Sequence, residues 1–294
     1  MACVSKAFCA TALSLLIDDL EHGRNVTALP SGVTELTWHT RLRDVLPGPG
    51  DGGWASERAN FKDILGHVSG VPRHDAAYGP SDMPLDMIGR LRHLRPAFEL
   101  REQWSYNNIM YMVAAHVIET YADQSYASFV QEPLFAPLGM TLATFSPAEA
   151  EASGTMMQGW TREGRRIPKR FSEETALAMT GPGGIILNAI DMAKWILTWI
   201  DAGTVIPDYV YRNVSYSYSV SVDHPTDPEL SIGGYGLGWF RSASFRGHNV
   251  RFFLLCPMAK DTVGGLALGR SFRAVYARLL PAERQDRCDS VREW

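Results

Sequence analysis

Cys3-Val4-Ser5-Lys6 places a thiol and an amine three residues apart. On a helix, positions i and i+3 are neighbours on one face, with Cβ atoms about 5–6 Å apart. A nucleophile with a base beside it is the minimum for covalent acyl transfer: the sulfur attacks a carbonyl carbon and the amine takes the proton. A helix start also favours an anion, which lowers a thiol's proton affinity. Ser5 is adjacent to Lys6 in sequence and points elsewhere, so Cys3 leads and Ser5 is the weaker candidate nucleophile. The same four letters also suit a small buried cysteine and a surface lysine. The second candidate is Trp104-Ser105-Tyr106-Asn107-Asn108. A tyrosine opening a helix can relay a proton when an ammonium lies nearby. Asn108 can orient a substrate amide or carbonyl. A buried tyrosine and a helix-capping asparagine explain the same letters.

The elements that must position these residues can be read from periodicity. Apolar residues at 9, 12, 13, 16, 17 and 20 form one stripe of a helix. The run ends at Asp18-Asp19 with no small-x-small site, so it reads as a folded core helix rather than an export signal. Pro/Gly-rich loops follow at 29–32 and 47–53, with a short helix or extended segment at 38–46 between them. Helices are predicted over 57–67, 84–94, 108–122 and 126–136, with a turn at Pro137-Leu138-Gly139-Met140. A Gly-rich turn at 181–187 leads to a helix that Asp191 can cap. Residues 215–222 alternate with period two, as strands do, and 236–240, 250–255 and 263–268 read as further strands. Residues 272–280 read as a terminal helix. Helices dominate the middle and strands the end, which is an α+β pattern.

Composition narrows the function classes. With 294 residues, 46% of them hydrophobic, the chain can bury a full core. A net charge of −4 argues against a nucleic-acid partner, whose phosphates call for a positive surface. No apolar run reaches the length of a membrane span. Cys3, Cys9, Cys256 and Cys288 are scattered, without a C-x-x-C pair or zinc spacing, so neither a disulfide framework nor a structural metal is expected. A cytoplasmic location is expected.

Several stretches, in order, resemble the β-lactamase-related serine hydrolase family, which includes class C β-lactamases and penicillin-binding proteins. Cys3-Val4-Ser5-Lys6 is similar to its Ser-x-x-Lys motif, and Tyr106-Asn107-Asn108 to its Tyr-x-Asn motif. Phe61 to Pro72, Leu134 to Met140, Gly181 to Ile186 with Asp191 to Trp195, and Tyr235-Gly236-Leu237-Gly238-Trp239 resemble its non-catalytic stretches. The residues around Leu94, Arg101 and Tyr106 look most like fungal members, some of which act in natural-product pathways.

The resemblance implies a β-lactamase/transpeptidase-like fold, α/β (α+β) in class. An antiparallel sheet flanked by helices would be joined to a helical lobe over about 36–200, in a single domain whose sheet-bearing lobe comes from 1–35 and 201–294. It implies a hydrolase or acyltransferase acting on a small-molecule ester, thioester or amide. Cys3 would be the nucleophile, Lys6 the base, Tyr106 the proton shuttle and Asn108 a substrate-binding group, with no cofactor or metal. Backbone amides near residue 3 and in the strand after Trp239 would hold the oxyanion.

Three departures from the family pattern oppose that reading. Cys3 replaces serine. The chain begins almost at the first motif, which leaves out strands that precede it in the family and puts residue 3 at an open edge. The third motif is altered: His248 stands for its histidine, but Val250 replaces its glycine, and an ordinary strand histidine is the favoured reading. The rival expectation is a catalytically impaired member acting as a binding or accessory protein.

Overall fold

The computed structural model describes residues 3–24, 27–46, 57–79, 81–167, 173–200, 205–225, 231–243 and 250–253. The chain divides into two compact units. One comprises Met1–Met157 with Lys169–Cys256, and the other Gln158–Pro168 with Pro257–Trp294. The expected strand at 263–268 and helix at 272–280 lie outside the described residues.

Helix α1 (Ser5–Glu21) is the centre of the first unit. Its residues from Ser5 to Ser14 are all buried, so its first turns are enclosed on every face and the apolar stripe describes only its later part. Small side chains at Ala7, Ala10 and Ala12 let other elements approach closely. The Thr11 hydroxyl donates to the Ala7 carbonyl at 2.8 Å, one turn back in the same helix. Phe8 stacks on Trp195 with ring centroids 3.8 Å apart and meets Phe135 edge-on at 5.8 Å. Such aromatic pairs contribute about 0.5–1.5 kcal/mol beyond their buried area.

The helices that surround α1 are short. They are α2 (Leu42–Val45), α3 (Phe61–Leu65), α4 (Pro84–Arg90), α5 (Ile109–Ala122) and α6 (Tyr126–Val130), followed by α7 (Pro147–Ala152), α8 (Glu173–Ala178), α9 (Ala189–Ile200) and α10 (Asp208–Ser215). α5 and α10 pack directly against α1. α6 runs on into a π-helical turn, Gln131–Phe135, which completes the segment predicted over 126–136. The helix predicted over 57–67 is shorter than expected, because the Asn60 side chain accepts from the Asp63 amide and the Asp63 carboxylate accepts from the Asn60 amide. That reciprocal cap fixes the start at Phe61. Asp191 does not cap α9. Asn188 does, its Oδ1 accepting from the Asp191 amide at 2.8 Å, while the Asp191 carboxylate accepts from the Leu142 amide at 2.9 Å.

Among the described residues the first unit carries an antiparallel sheet in the order β3 (Ser219–Val222), β4 (Gly233–Tyr235), β5 (Phe240–Ala243), β6 (Val250–Phe253). Residue pairs run Ser219 with Tyr235, Tyr235 with Phe240, and Phe240 with Phe253. The strand expected over 215–222 therefore begins only at Ser219, since Ser215 ends α10. The stretch 236–240 is not a strand. It is mainly the turn between β4 and β5, closed by the Gly236 amide on the Trp239 carbonyl at 2.8 Å. The alternating pattern misled because Leu237 and Trp239 are both buried by a turn rather than on one face of a sheet. In the second unit the described residues form a two-stranded hairpin, β1 (Gly159–Trp160) with β2 (Arg166–Ile167).

No helix among the described residues is long and apolar enough to cross a membrane.

Candidate active site

Cys3 stands at the mouth of α1, where the Lys6 amide donates to its carbonyl at 3.2 Å and the Ala7 amide donates to that of Val4 at 3.1 Å. This tight first turn carries Lys6 into the interior, 1% exposed, while Cys3 stays half-buried. The Tyr106 hydroxyl donates to Cys3 Sγ at 2.8 Å. Lys6 Nζ donates to Asn108 Oδ1 and to the Pro182 carbonyl, both at 2.7 Å, and lies 4.6 Å from the centre of the Tyr106 ring. The four residues singled out in the sequence thus converge, although Tyr106 and Asn108 are about a hundred positions from Cys3 and Lys6. Ser5 does not face this site: it is fully buried, and its Oγ accepts from the Ile185 amide at 3.1 Å.

The two neighbouring asparagines divide the work. Asn107 is the capping residue, its Oδ1 accepting from the Met110 amide at 3.2 Å, although Asn108 occupies the position at the start of α5. Asn107 also donates from Nδ2 to the Val71 and Pro72 carbonyls at 2.9 and 3.2 Å. The Asn108 side chain makes no capping bond. It is left to join the site, accepting from Lys6 and donating from Nδ2 to Asp75 Oδ1 at 3.1 Å.

Tyr106 is held by the loop after α3. His67 has φ of 61°, and its carbonyl accepts from the Ser105 amide at 2.7 Å. Its Nδ1 accepts from the Asn107 amide at 3.2 Å, so the ring proton is on Nε2. His67 is fully buried among Tyr106, Tyr111, Tyr235 and Trp104, with centroids 4.7 to 5.6 Å away. Burial, and then the charges of Lys6 and Arg73, push its pKa well below the ordinary histidine value. It is a neutral strut. Gly70 completes the brace: its φ is +77°, and a Cβ there would lie 2.3 Å from the Phe98 carbonyl oxygen, so the chain at 97–98 closes over it only because no side chain is present.

Three residues that sequence reasoning did not select also belong here: Arg73, Asp75 and His67. Asp75 accepts from Asn108 Nδ2, from the Tyr78 hydroxyl at 2.9 Å and from Arg73 Nε. The Arg73 guanidinium carbon lies 5.0 Å from the centre of the Tyr106 ring. His67 stands inside the Phe61 to Pro72 stretch, one of the non-catalytic resemblances.

The Tyr235–Trp239 stretch braces the start of α1 from the sheet. Gly238 has φ of +89°, and a Cβ there would fall 2.6 Å from the Ala7 nitrogen and 2.7 Å from the Lys6 carbonyl carbon. The element seated on the first turn of α1 is this turn, with the strand after Trp239 leading away from it. His248, the candidate for the third motif, lies outside the described residues. An open groove of about 940 Å³ runs beside Trp104, between α3 and the β3–β4 hairpin, and none of Cys3, Lys6 and Tyr106 lines it. The groove is lined instead by Lys62, whose Nζ lies 4.7 Å from the centre of the Tyr218 ring and 3.4 Å from His39 Nε2.

Residues 1–268 match the family model described as Beta-lactamase. An unguisins hydrolase of Aspergillus campestris is 27% identical over 250 residues, covering 80% of this chain and 44% of that protein. An unguisins hydrolase of Aspergillus violaceofuscus is 28% identical over 262 residues, covering 81% and 44%. An N-acetylmuramyl-L-alanine amidase of Bacillus subtilis is 23% identical over 239 residues, covering 71% and 53%. The chain therefore spans about half the length of these curated relatives. Among solved structures, a penicillin-binding protein homologue from Pyrococcus abyssi superposes with a TM-score of 0.66 at 20% identity, covering 84% of this chain and 54% of that one. A D-stereospecific amidohydrolase from Streptomyces sp. gives 0.62 at 18% identity, covering 85% and 72%. These likenesses bear out the expected β-lactamase/transpeptidase-like fold.

Proposed function

This chain belongs to the β-lactamase family, and on that premise we propose that it hydrolyses a small-molecule amide, ester or thioester through an acyl group carried on Cys3. The observation that supports this most is the 2.8 Å hydrogen bond from the Tyr106 hydroxyl to Cys3 Sγ, with the Lys6 amine beside the same ring.

The cysteine changes where the proton rests. A free thiol (pKa ~8.5) is more acidic than a free phenol (~10), so a proton shared between them sits on oxygen. Once the thiol proton has left to solvent the pair is thiolate and phenol, and Lys6, which donates to Asn108 and Pro182, acts as fixed positive charge more than as proton acceptor. The thiolate attacks the carbonyl carbon and a tetrahedral oxyanion forms, held by amides at the start of α1. Tyr106 gives its proton to the departing nitrogen, oxygen or sulfur as that bond breaks, leaving a thioester on Cys3 and a phenolate. Water then attacks the thioester and loses its proton to the phenolate, and the acid leaves as Cys3 thiolate is restored. Asn108 sets the height of Lys6 and can meet a substrate amide. Relatives named as hydrolases and amidases favour water as acceptor, and the two Aspergillus relatives favour a fungal small molecule as substrate.

The test is acylation by an activated ester, with the adduct located by peptide mass mapping. An adduct on Cys3 is expected, slowed about 10²–10⁴-fold in Tyr106→Phe and in Lys6→Met. Circular dichroism confirms that each variant is folded. Folded wild-type protein that gains no adduct, or gains it on Ser5, overturns the proposal.

A further inference from the structure

Tyr106 carries two cations, and only one of them belongs to a recognised motif. Lys6 Nζ lies 4.6 Å from its ring centre and the Arg73 guanidinium carbon 5.0 Å. The two cations are ends of one hydrogen-bonded chain. Arg73 Nε donates to Asp75, Asp75 Oδ1 accepts from Asn108 Nδ2 at 3.1 Å, and Asn108 Oδ1 accepts from Lys6 at 2.7 Å. The Tyr78 hydroxyl fixes the same carboxylate from another side at 2.9 Å. The loop that carries Arg73 is itself pinned, because Asn107 Nδ2 holds the carbonyls of Val71 and Pro72. Arg73 is thus placed over the ring by backbone on one side and by Asp75 on the other. Its side chain is 34% exposed, so it sits at the rim.

We propose that Arg73 is a positioning residue that stabilises the Tyr106 phenolate formed when the acyl group moves to Cys3. This rests on the acyl-enzyme reading above. Among the described residues named at the ring, the other groups do not supply that charge. His67 is buried and neutral, its Nδ1 occupied by the Asn107 amide. Tyr111, Tyr235 and Trp104 are neutral rings, and Tyr111 holds its proton more tightly than usual because it is buried. Asp75 is negative and opposes Arg73 in part, so the guanidinium acts mainly through its nearness to the ring face. A cation over an aromatic face is favourable for the phenol and more so for the phenolate, and that difference is what speeds proton release to the leaving group.

The experiment compares wild type, Arg73→Met and Arg73→Lys, each with and without Tyr106→Phe. The first readout needs no turnover: tyrosinate ultraviolet absorbance as pH rises, with Tyr106 assigned by subtracting its Phe variant. Tyr106 is expected to ionise about one pH unit higher in Arg73→Met, with Arg73→Lys between. The second readout is the rate of Cys3 acylation against pH. It is expected to fall about tenfold in Arg73→Met, with the alkaline limb displaced upward by the same amount and Arg73→Lys recovering part of the rate. A purely structural Arg73 would change thermal stability but leave both the Tyr106 titration and the alkaline limb in place, and that result overturns the proposal. Absence of any Cys3 adduct in wild type refutes the acyl-enzyme reading instead. The titration still decides whether Arg73 acts on Tyr106.

Discussion

His67 ties stability to pH in a calculable way. In the folded chain it is fully buried, and its Nδ1 accepts from the Asn107 amide, so the ring is neutral. Its pKa lies well below the ordinary 6.5, through burial first and then the charges of Lys6 and Arg73. In the unfolded chain the ring takes up a proton near its ordinary value. The unfolded state therefore binds more protons below that value, and stability that is fully present above it is lost as pH falls. Each unit below 6.5 costs about 1.4 kcal/mol until the folded pKa is reached. Asparagine isolates this contribution. His67→Asn keeps an acceptor for the Asn107 amide, tolerates the φ of 61° and does not titrate. It forfeits ring contacts, which lowers stability equally at all pH. The measurement is urea unfolding of both proteins at pH 7, 6 and 5. His116, whose pKa is also lowered by burial, is present in both and cancels. The gap between wild type and variant should narrow as pH falls through 6.5, by about 1.4 kcal/mol per unit until the folded pKa is reached. A gap that stays constant would refute the buried neutral histidine.

Two further outcomes follow from packing and burial. Gly238→Ala puts a methyl 2.6 Å from the Ala7 nitrogen at a φ of +89°, against backbone that cannot swing aside; a loss of about 2 kcal/mol or more in urea unfolding is expected, and an unchanged midpoint contradicts the close approach. Burial pushes the Cys9 thiol up to about 12, so iodoacetamide at pH 8 should label Cys3 and spare Cys9 until the chain is unfolded, and native labelling of both at similar rates contradicts that burial.

The sequence was most legible where chemistry and local geometry coincide. Cys3 and Lys6 share a face because the i, i+3 rule needs no tertiary information. Helices α5, α6 and α9 were visible because their apolar residues recur at helical spacing over more than one turn. The misreadings are local substitutions of one polar partner for another. Asn188 caps α9 where Asp191 was expected, and Asn107 caps α5 beside the Asn108 that joins the candidate site. Both members of each pair are able to cap, and spacing alone does not rank them. Tyr235 to Trp239 alternates like a strand, yet the glycines at 236 and 238 permit a turn that buries Leu237 and Trp239 together.

Arg73, Asp75 and His67 were illegible for a different reason. Each acts through a partner more than thirty positions away: Asp75 through Asn108, His67 through Asn107, Arg73 through Tyr106. Nothing in the local pattern of Val71-Pro72-Arg73-His74-Asp75 distinguishes it from a polar loop. The same contacts hold the side chains at the mouth of α1 in place. Cys3 is fixed from outside the helix, by a Tyr106 that His67, Asn107 and the loop closing over Gly70 brace from behind. Lys6 is fixed by Asn108 and Pro182, and the Lys6–Ala7 backbone is met by the turn at Gly238. Preorganisation of this kind is a property of the packed neighbours. The contacts on Cys3 and Lys6 come from residues 106, 108 and 182, with the turn at Gly238 against the backbone that follows Lys6.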